Sequence, residues 1–409
     1  MPEVSLAGLA AVAAVAFLVP LLLGMVPALR LPSVVLEIVT GIVLGPSIVG
    51  WIHVDAPLEV LSTLGLAFLL FLAGLEIDVD HLRGRVLRLV GTGFAVSFGI
   101  ALAVSAGLGA LGLVGSPLLV AIILTATSLG IVIPVLKDAG QTSSDFGQLV
   151  IAAASIADFA AVILLSLFFS REETGPGGQL LLIGGLVLLA AGVALAIARA
   201  GHSRQLSDDL GRLQDSSAQI RVRGAVLLMV GLVWVAQRLG LEVILGAFLA
   251  GALLRVVDRD KVMTHPRFRM KLEALGYGMF VPIFFVVSGL RFDLKALTAD
   301  PANLRLVPLF LTALLLVRGL PAVLYRARVG TRRSMVAGLL QATSLPFVVA
   351  AAQIGMELGE LDQATGAALI AAGLLSVLLF PLGALTVLRR ATGNPARSGA
   401  EPATTTVTT

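Results

Sequence analysis

Residues 152–165 read Ala152-Ala-Ala-Ser-Ile-Ala-Asp158-Phe-Ala-Ala-Val-Ile-Leu-Leu165, with one carboxylate, Asp158, at the centre of an apolar stretch. The surrounding apolar run from Phe146 to Phe169 is long enough to cross a bilayer, because about 20 residues of helix span the hydrocarbon core. Asp158 is therefore predicted near the midplane, where a carboxylate costs roughly 2.5–3.5 kcal/mol and is a functional residue by default. The structural alternative is a neutral acid that bonds a neighbouring helix.

The composition is that of a polytopic membrane protein. The 409 residues are 57% hydrophobic and 13% charged, and apolar runs of spanning length recur from end to end. The absence of cysteine excludes a disulfide framework and thiolate chemistry. The four histidines fall in predicted loops without metal-ligand spacing, so neither a zinc site, a cofactor nor an enzymatic activity is expected. The basic residues lie in short loops between spans, a pattern that indicates topology and not nucleic-acid binding.

We predict an all-α protein with about thirteen transmembrane helices. One alternating set of loops holds 23 of the 29 Lys and Arg residues, and the other set holds five. Because the basic loops mark the cytoplasmic side, the N-terminus is predicted outside and the C-terminus inside.

An internal repeat is visible across these spans, as three motifs that recur in the same order. They pair segments 2, 3 and 5 with segments 9, 10 and 12: Leu36–Gly41 with Leu241–Gly246, Ala73–Asp78 with Ser288–Asp293, and Ala126–Leu129 with Ala342–Leu345. An odd separation of seven segments makes the two copies cross the membrane in opposite directions. Inverted repeats are typical of secondary transporters whose site lies at the repeat interface.

The repeat divides residues 1–390, predicted to form one transmembrane domain. Six-helix repeat one covers about 4–169, a linker helix about 179–199, and six-helix repeat two about 222–388. Residues 391–409 are rich in Pro, Ser, Thr and Ala and are predicted to be a disordered cytoplasmic tail.

Two spans carry the same polar interruption at mid-depth. Each has a Thr-Ser pair followed by a helix-breaking residue: Thr127-Ser128 with Gly130 and Pro134, and Thr343-Ser344 with Pro346. Since proline removes a backbone donor and glycine tolerates unwinding, we predict two broken helices that cross at the midplane. The alternative is an ordinary proline kink with hydroxyls bonded to their own helix.

Three further charged residues lie within or at the edge of spans. Arg318 is deep in segment 11 and needs a counter-charge, half-helix carboxyl ends or water; the alternative is a snorkelling side chain. Glu37 lies near the start of segment 2 and Glu242 opens segment 9. Both are interpreted as structural or gate residues.

With these residues described, the chain resembles the monovalent cation:proton antiporter-2 family, relatives of bacterial Na+/H+ antiporters and Kef-type potassium efflux proteins. The resemblance covers nearly the whole membrane region. The motifs that carry it are Leu31–Pro46, Phe71–Asp78, Ala126–Asp138 and Pro282–Gly289.

The resemblance implies the NhaA-like fold and a homodimer in the bacterial cytoplasmic membrane. It implies that each protomer has a core domain with crossed helices and a dimerisation domain. Asp158 would be the ion-binding carboxylate, with Thr127 and its neighbour Ser128 from the crossing helix and Ser155 one turn before Asp158. The expected ligands are H+ and the monovalent cations Na+, K+ and Li+, which prefer oxygen donors.

One departure from the family pattern bears on stoichiometry. Where electrogenic members carry an acid before the aspartate, this chain has Ala157, and the basic residue of segment 11 is Arg318, which does not deprotonate. A single midplane carboxylate predicts electroneutral exchange of one cation for one proton. The alternatives are a Kef-like potassium efflux protein, an organic-anion symporter that uses Arg318, and a sensor that does not transport.

Overall fold

The computed structural model describes residues 6–25, 32–76, 84–169, 175–201, 219–257 and 266–392, and these ranges are helical with short connections and no β-strand. Ten helical stretches are long and apolar enough to span a membrane, and three shorter apolar helices lie at 33–44, 177–193 and 243–256. The protein is therefore a multi-pass membrane protein, as the composition predicted.

The helices of the N-terminal half are α1 (Leu6–Met25), α2 (Ser33–Leu44), α3 (Ala56–Glu76), α4 (Gly84–Ala110), α5 (Pro117–Thr125), α6 (Leu129–Asp138), α7 (Asp145–Phe168) and α8 (Gly175–Gly201). The second span was predicted to cover about residues 32–50, but α2 ends at Leu44, because Gly45 and Pro46 follow it.

The C-terminal half contains α9 (Ile220–Arg238), α10 (Val243–Val257), α11 (Pro266–Leu275), α12 (Val281–Leu290), α13 (Leu294–Thr298), α14 (Pro301–Leu314), α15 (Arg326–Val329), α16 (Thr331–Gln341), α17 (Pro346–Glu357) and α18 (Gln363–Thr392). A π-helical turn, Gly276–Phe280, joins α11 to α12. A second, Leu315–Gly319, followed by a 3-10 turn, Leu320–Tyr325, joins α14 to α15. The sequence did not reveal either π-turn. Helix α18 continues two residues into the predicted tail, and residues 393–409 lie outside the described part.

The helices pack in two groups, identified by their contacts. The panel group contains α1–α3 and α8–α12, in which α3 packs on α10 and α2 packs on α12. The crossing group contains α4–α7 and α14–α18, in which α14, α16 and α17 all pack on α18. The short helix α13 follows α12 and contacts α14 and α18, so it connects the two groups.

Glycine allows the closest helix approaches in the panel group. A Cβ added to Gly251 of α10 would lie 1.9 Å from the Phe71 carbonyl oxygen of α3, and one added to Gly289 of α12 would lie 2.2 Å from the Ile38 carbonyl oxygen of α2. Small residues at such contacts let backbones meet, which is how membrane helices gain packing energy without a hydrophobic driving force.

We expect Gly251→Ala to lower the free energy of unfolding by about 1–3 kcal/mol, because its methyl group must displace the α3 backbone. The matched control is Gly231→Ala in α9, where no atom of another described helix lies within 4 Å of the added Cβ. Thermal unfolding in detergent compares the two variants. Equal stability of Gly251→Ala and the parent would contradict the close packing of α3 and α10.

Candidate functional site

Two helices are interrupted at the same depth, and the interruptions touch. Helix α5 ends at Thr125 and α6 begins at Leu129, while α16 ends at Gln341 and α17 begins at Pro346. The Ser128 amide donates a 2.9 Å hydrogen bond to the Thr343 carbonyl across the gap. Both breaks lie where the paired Thr-Ser motifs predicted them.

The two prolines of these motifs have different positions. Pro346 is the first residue of α17. A backbone N–H at this position would have no partner within the helix, so proline costs no hydrogen bond there. Pro134 lies inside α6, beyond the break, and is exposed. The α5–α6 break is therefore formed by residues 126–128 and not by Pro134.

Asp158, on α7, faces the amino end of α6. The Thr127 amide donates to Asp158 Oδ1 at 3.2 Å, and the Leu129 amide is a second backbone donor. The amino end of a helix carries partial positive charge and free N–H groups, so it stabilises a carboxylate there. Asp158 is half-buried, and the broken helix supplies its donors.

Arg318 lies in the π-turn that follows α14 and is 2% exposed. Its guanidinium donates to three neutral oxygens: Thr127 Oγ1 at 2.9 Å, Ser97 Oγ at 3.2 Å and Gln341 Oε1 at 3.3 Å. Within the described ranges, no carboxylate oxygen lies within ion-pair distance of it. The snorkelling alternative does not fit this burial and these contacts.

The carboxyl ends of the broken helices compensate the charge of Arg318. Its partners Thr127 and Gln341 lie at the ends of α5 and α16, where free carbonyls give a helix partial negative charge. The Thr127 hydroxyl also donates to the Gln341 carbonyl at 2.7 Å. Thr127 thus connects Arg318, through its hydroxyl, to Asp158, through its amide.

Helix α18 anchors the second break. The Ser344 amide donates to Ser376 Oγ at 3.2 Å, and the Ser376 hydroxyl lies 3.1 Å from the Ser344 carbonyl and 2.7 Å from that of Gly373. Sequence reasoning assigned no role to Ser376, Ser97 or Gln341. Their only signal was a polar residue in an apolar span, and their partners are far away in the chain.

A cavity of about 100 Å³ lies in front of Asp158, between the two helix groups. Asp158, Thr127, Ser128 and Pro346 line it from the crossing group. The panel group contributes Val34, Leu69, Leu70, Ala73, Glu76, Phe248, Tyr277 and Phe285. Sequence reasoning assigned no role to Glu76, the last residue of α3, or to Tyr277, which lies in the π-turn between α11 and α12.

The remaining candidates lie away from the cavity lining. Ser155 is buried beside Asp158 on α7, and among the described residues its hydroxyl has no hydrogen-bond partner. The hydroxyl of Thr343, in the break, donates to the Leu339 carbonyl of the preceding helix α16 at 3.1 Å. Glu37 is buried in α2 with Ser33 as a side-chain partner, and Glu242 is buried just before α10.

A family model described as the transmembrane sodium/hydrogen exchanger matches residues 13–390. The chain belongs to the sodium/hydrogen exchanger family. The sequence resemblance is thus confirmed at the level of the antiporter family, and its narrower antiporter-2 label is replaced by the exchanger family.

Two relatives illustrate the match. A putative Na+/H+ antiporter of Bacillus subtilis, YjbQ, is 33% identical over 93% of this chain, which spans 63% of that relative's length. A probable Na+/H+ antiporter of Methanocaldococcus jannaschii is 26% identical over 90% of the chain and 92% of the relative.

The fold of this exchanger-family chain also matches a solved structure, that of the sodium proton antiporter MjNhaP1 from M. jannaschii. The TM-score is 0.65 over 95% of this chain and 99% of the other, at 17% identity. The likeness shows a shared fold.

We expect Thr127→Val to lower the free energy of unfolding by about 1–3 kcal/mol, because it removes the oxygen that accepts from Arg318 and leaves the buried guanidinium short of a partner. Thr127→Ser keeps the hydroxyl and is the matched control. Thermal unfolding of both variants in detergent is the measurement. If the valine variant were as stable as the serine variant, the Thr127 hydroxyl would not hold this junction together.

Proposed function

We propose that this chain is a secondary active transporter that exchanges a monovalent cation, Na+ or K+, for H+, with Asp158 binding either ion in turn. The observation that carries the proposal is the position of Asp158: it is the carboxylate where the cavity meets the helix crossing. The exchanger family and the antiporter relatives support the same activity.

Desolvation explains why one carboxylate couples the two ions. A buried acid is stable when its charge is neutralised, by a proton or by a bound cation, and the two compete for the same oxygens. An unneutralised carboxylate is costly to carry through the hydrocarbon layer. We infer that the crossing group moves relative to the panel group only when Asp158 is occupied.

The cation would be held by oxygen atoms near Asp158. Ser128 lines the cavity beside the carboxylate, and one helical turn away lies the hydroxyl of Ser155, which has no hydrogen-bond partner among the described residues. The Thr127 hydroxyl is already bonded to Arg318 and Gln341, so we assign Thr127 a positioning role through its side chain. Hard cations such as Na+, K+ and Li+ accept this oxygen set.

The finer architecture belongs to the same proposal. We place the three shorter apolar helices in the membrane, which gives thirteen spans and two inverted repeats within residues 1–390. The packing of α2 on α12 and of α10 on α3 supports this, because the repeat pairs α2 with α10 and α3 with α12. We further propose a homodimer in the bacterial cytoplasmic membrane, with the N-terminus outside and the C-terminus inside.

A symporter for organic anions is less well supported. Arg318 would have to reach the substrate, but it does not line the cavity and donates to Thr127, Ser97 and Gln341. No feature of the described residues favours Kef-like efflux over exchange.

We expect Asp158→Asn to abolish cation-induced proton movement, because an amide binds neither a proton nor a cation in exchange. Dequenching of a pH dye in everted vesicles, energised by respiration, measures it. The matched control is Asp145→Asn, the same change at the exposed start of α7, which should retain exchange. Substantial exchange by folded Asp158→Asn protein would refute the assignment.

We expect the initial rate of exchange to be the same with either sign of an imposed membrane potential, because one carboxylate carries one cation or one proton across. Reconstituted proteoliposomes allow the test, with Asp158→Asn vesicles as the background for leak. A rate or current that responds to the potential would show that each cycle moves a net charge across the membrane and would contradict one-for-one exchange.

A further inference from the structure

A second, smaller cavity lies between the panel group and the crossing group, farther along α12 and α17 than the Asp158 cavity. Its volume is about 10 Å³, room for roughly one water molecule. It is lined by Ser288, Arg291, Phe292 and Asp293 on the α12 side, and by Gln353, Met356, Gln363, Ala367 and Ile370 of α17 and α18.

The two cavities lie in line along α12 and α17. On α12, Phe285 lines the Asp158 cavity, and Ser288, one turn later on the same face, lines the second. On α17, Pro346 lines the first cavity, and Gln353, two turns later on the same face, lines the second. Residues of α12 and α17 therefore line both cavities, and the second cavity lies one to two helical turns beyond the first.

Apolar residues precede the second cavity on both helices, and Phe285, Phe347 and Ala350 are all buried. Five of the nine residues that line the second cavity carry polar side chains. Gln353 is only 9% exposed, and Ser288 is buried with its hydroxyl donating to the Phe284 carbonyl at 2.7 Å. A polar side chain such as that of Gln353 is costly in a dry interior and is tolerated where it lines a path for water or ions.

One arginine at the rim of the second cavity contacts both helix groups. Arg291, which follows α12, lies 3.2 Å from a carboxylate oxygen of Glu59 on α3, within the panel group. It lies 3.8 Å from a carboxylate oxygen of Glu357, the last residue of α17, in the crossing group. The Ser47 hydroxyl bonds the Phe292 carbonyl at 2.6 Å and so holds this loop on the panel group.

We propose that the second cavity is the closed half of the ion path, that Gln353 and Ser288 are its polar lining, and that the Arg291–Glu357 ion pair is the latch that keeps it closed while the Asp158 cavity is open. The proposal rests on the exchange function proposed above. It assigns the face that carries Arg291 to the outside of the cell.

The latch is weak enough to open in every cycle. Side-chain exposures of 30% for Arg291 and 52% for Glu357 leave the pair partly solvated. Ion pairs of this kind shift a two-state population by about 1.5-fold to fivefold. The loss of the pair should thus favour the outward-open state by a similar factor.

Cross-linking tests the latch directly, because the chain has no native cysteine. Arg291→Cys/Glu357→Cys joins the two groups, and Arg291→Cys/Glu59→Cys joins two residues of the panel group. A short, membrane-permeant bis-methanethiosulfonate reagent links each pair, with linkage verified by mass spectrometry. We expect cross-linking of the Arg291→Cys/Glu357→Cys variant to lower its exchange rate at least about tenfold, and reduction of the link to restore that rate. The linked Arg291→Cys/Glu59→Cys variant should keep its exchange rate.

Retained exchange in the linked Arg291/Glu357 pair would overturn the proposal, since the two groups would not separate there. Loss of exchange in the linked Arg291/Glu59 variant would also overturn the latch proposal, because it would mean that Arg291 and Glu59 move relative to each other and do not both belong to the panel group.

A second readout does not depend on exchange. Gln353→Cys is labelled in intact cells by a membrane-impermeant thiol reagent, with and without Glu357→Gln. We expect labelling about 1.5-fold to fivefold faster in the Glu357→Gln background. The matched position is Gln363→Cys, which is exposed at the rim of the same cavity and should label equally in both backgrounds.

The outcomes separate the two proposals. Faster labelling of Gln353→Cys without any cation-dependent proton movement would support the latch and refute the exchange function. Unchanged labelling at Gln353→Cys in an active exchanger would refute the latch alone. No labelling at Gln363→Cys would place this face inside the cell and refute the external assignment.

Discussion

The structure depends on the constraint that backbone groups freed from a helix inside a bilayer must find partners within the protein. The two broken helices meet this constraint by crossing. Ser128 and Thr343 bond across the gap, and Ser376 of α18 bonds the freed backbone of Ser344. Because every broken helix has two ends of opposite partial charge, the same crossing also creates one position for an anion and one for a cation.

Asp158 and Arg318 occupy these two positions, and their environments differ. The carboxylate faces the amino end of α6 and borders a cavity, whereas the guanidinium is enclosed by protein oxygens near the carboxyl ends of α5 and α16. Neutral oxygens and helix ends compensate the charge of the Arg318 guanidinium, so no carboxylate is needed beside it. A carboxylate there would add a second titrating group next to Asp158. Asp158 is therefore in contact with the cavity, whereas Arg318 is part of the surrounding framework.

The tightness of packing also differs between the parts of the protein. In the panel group, glycines bring α3 and α10 into backbone contact. At the boundary with the crossing group, cavities, aromatic side chains and a partly solvated ion pair replace such contacts. Bodies that are rigid inside and loosely joined at their boundary suit a transporter that exposes one site to two sides in turn.

Hydropathy and local motifs were enough to predict the membrane class and the positions of both helix breaks, and they drew attention to Asp158. These follow from local chemistry: hydropathy, a Thr-Ser pair beside a helix breaker, and an acid in an apolar run. The two π-turns were missed, because they depend on packing against distant helices, and the end of α2 at Leu44 was missed although Gly45 and Pro46 mark it locally.

The partners of each polar group became visible only in the folded bundle. Ser97 and Gln341 reach Arg318 from two other helices, and Glu76 and Tyr277 reach the Asp158 cavity from the panel group. Spacing along a chain specifies which residues share a helix face, but contacts between helices far apart in sequence are set by how the whole bundle packs.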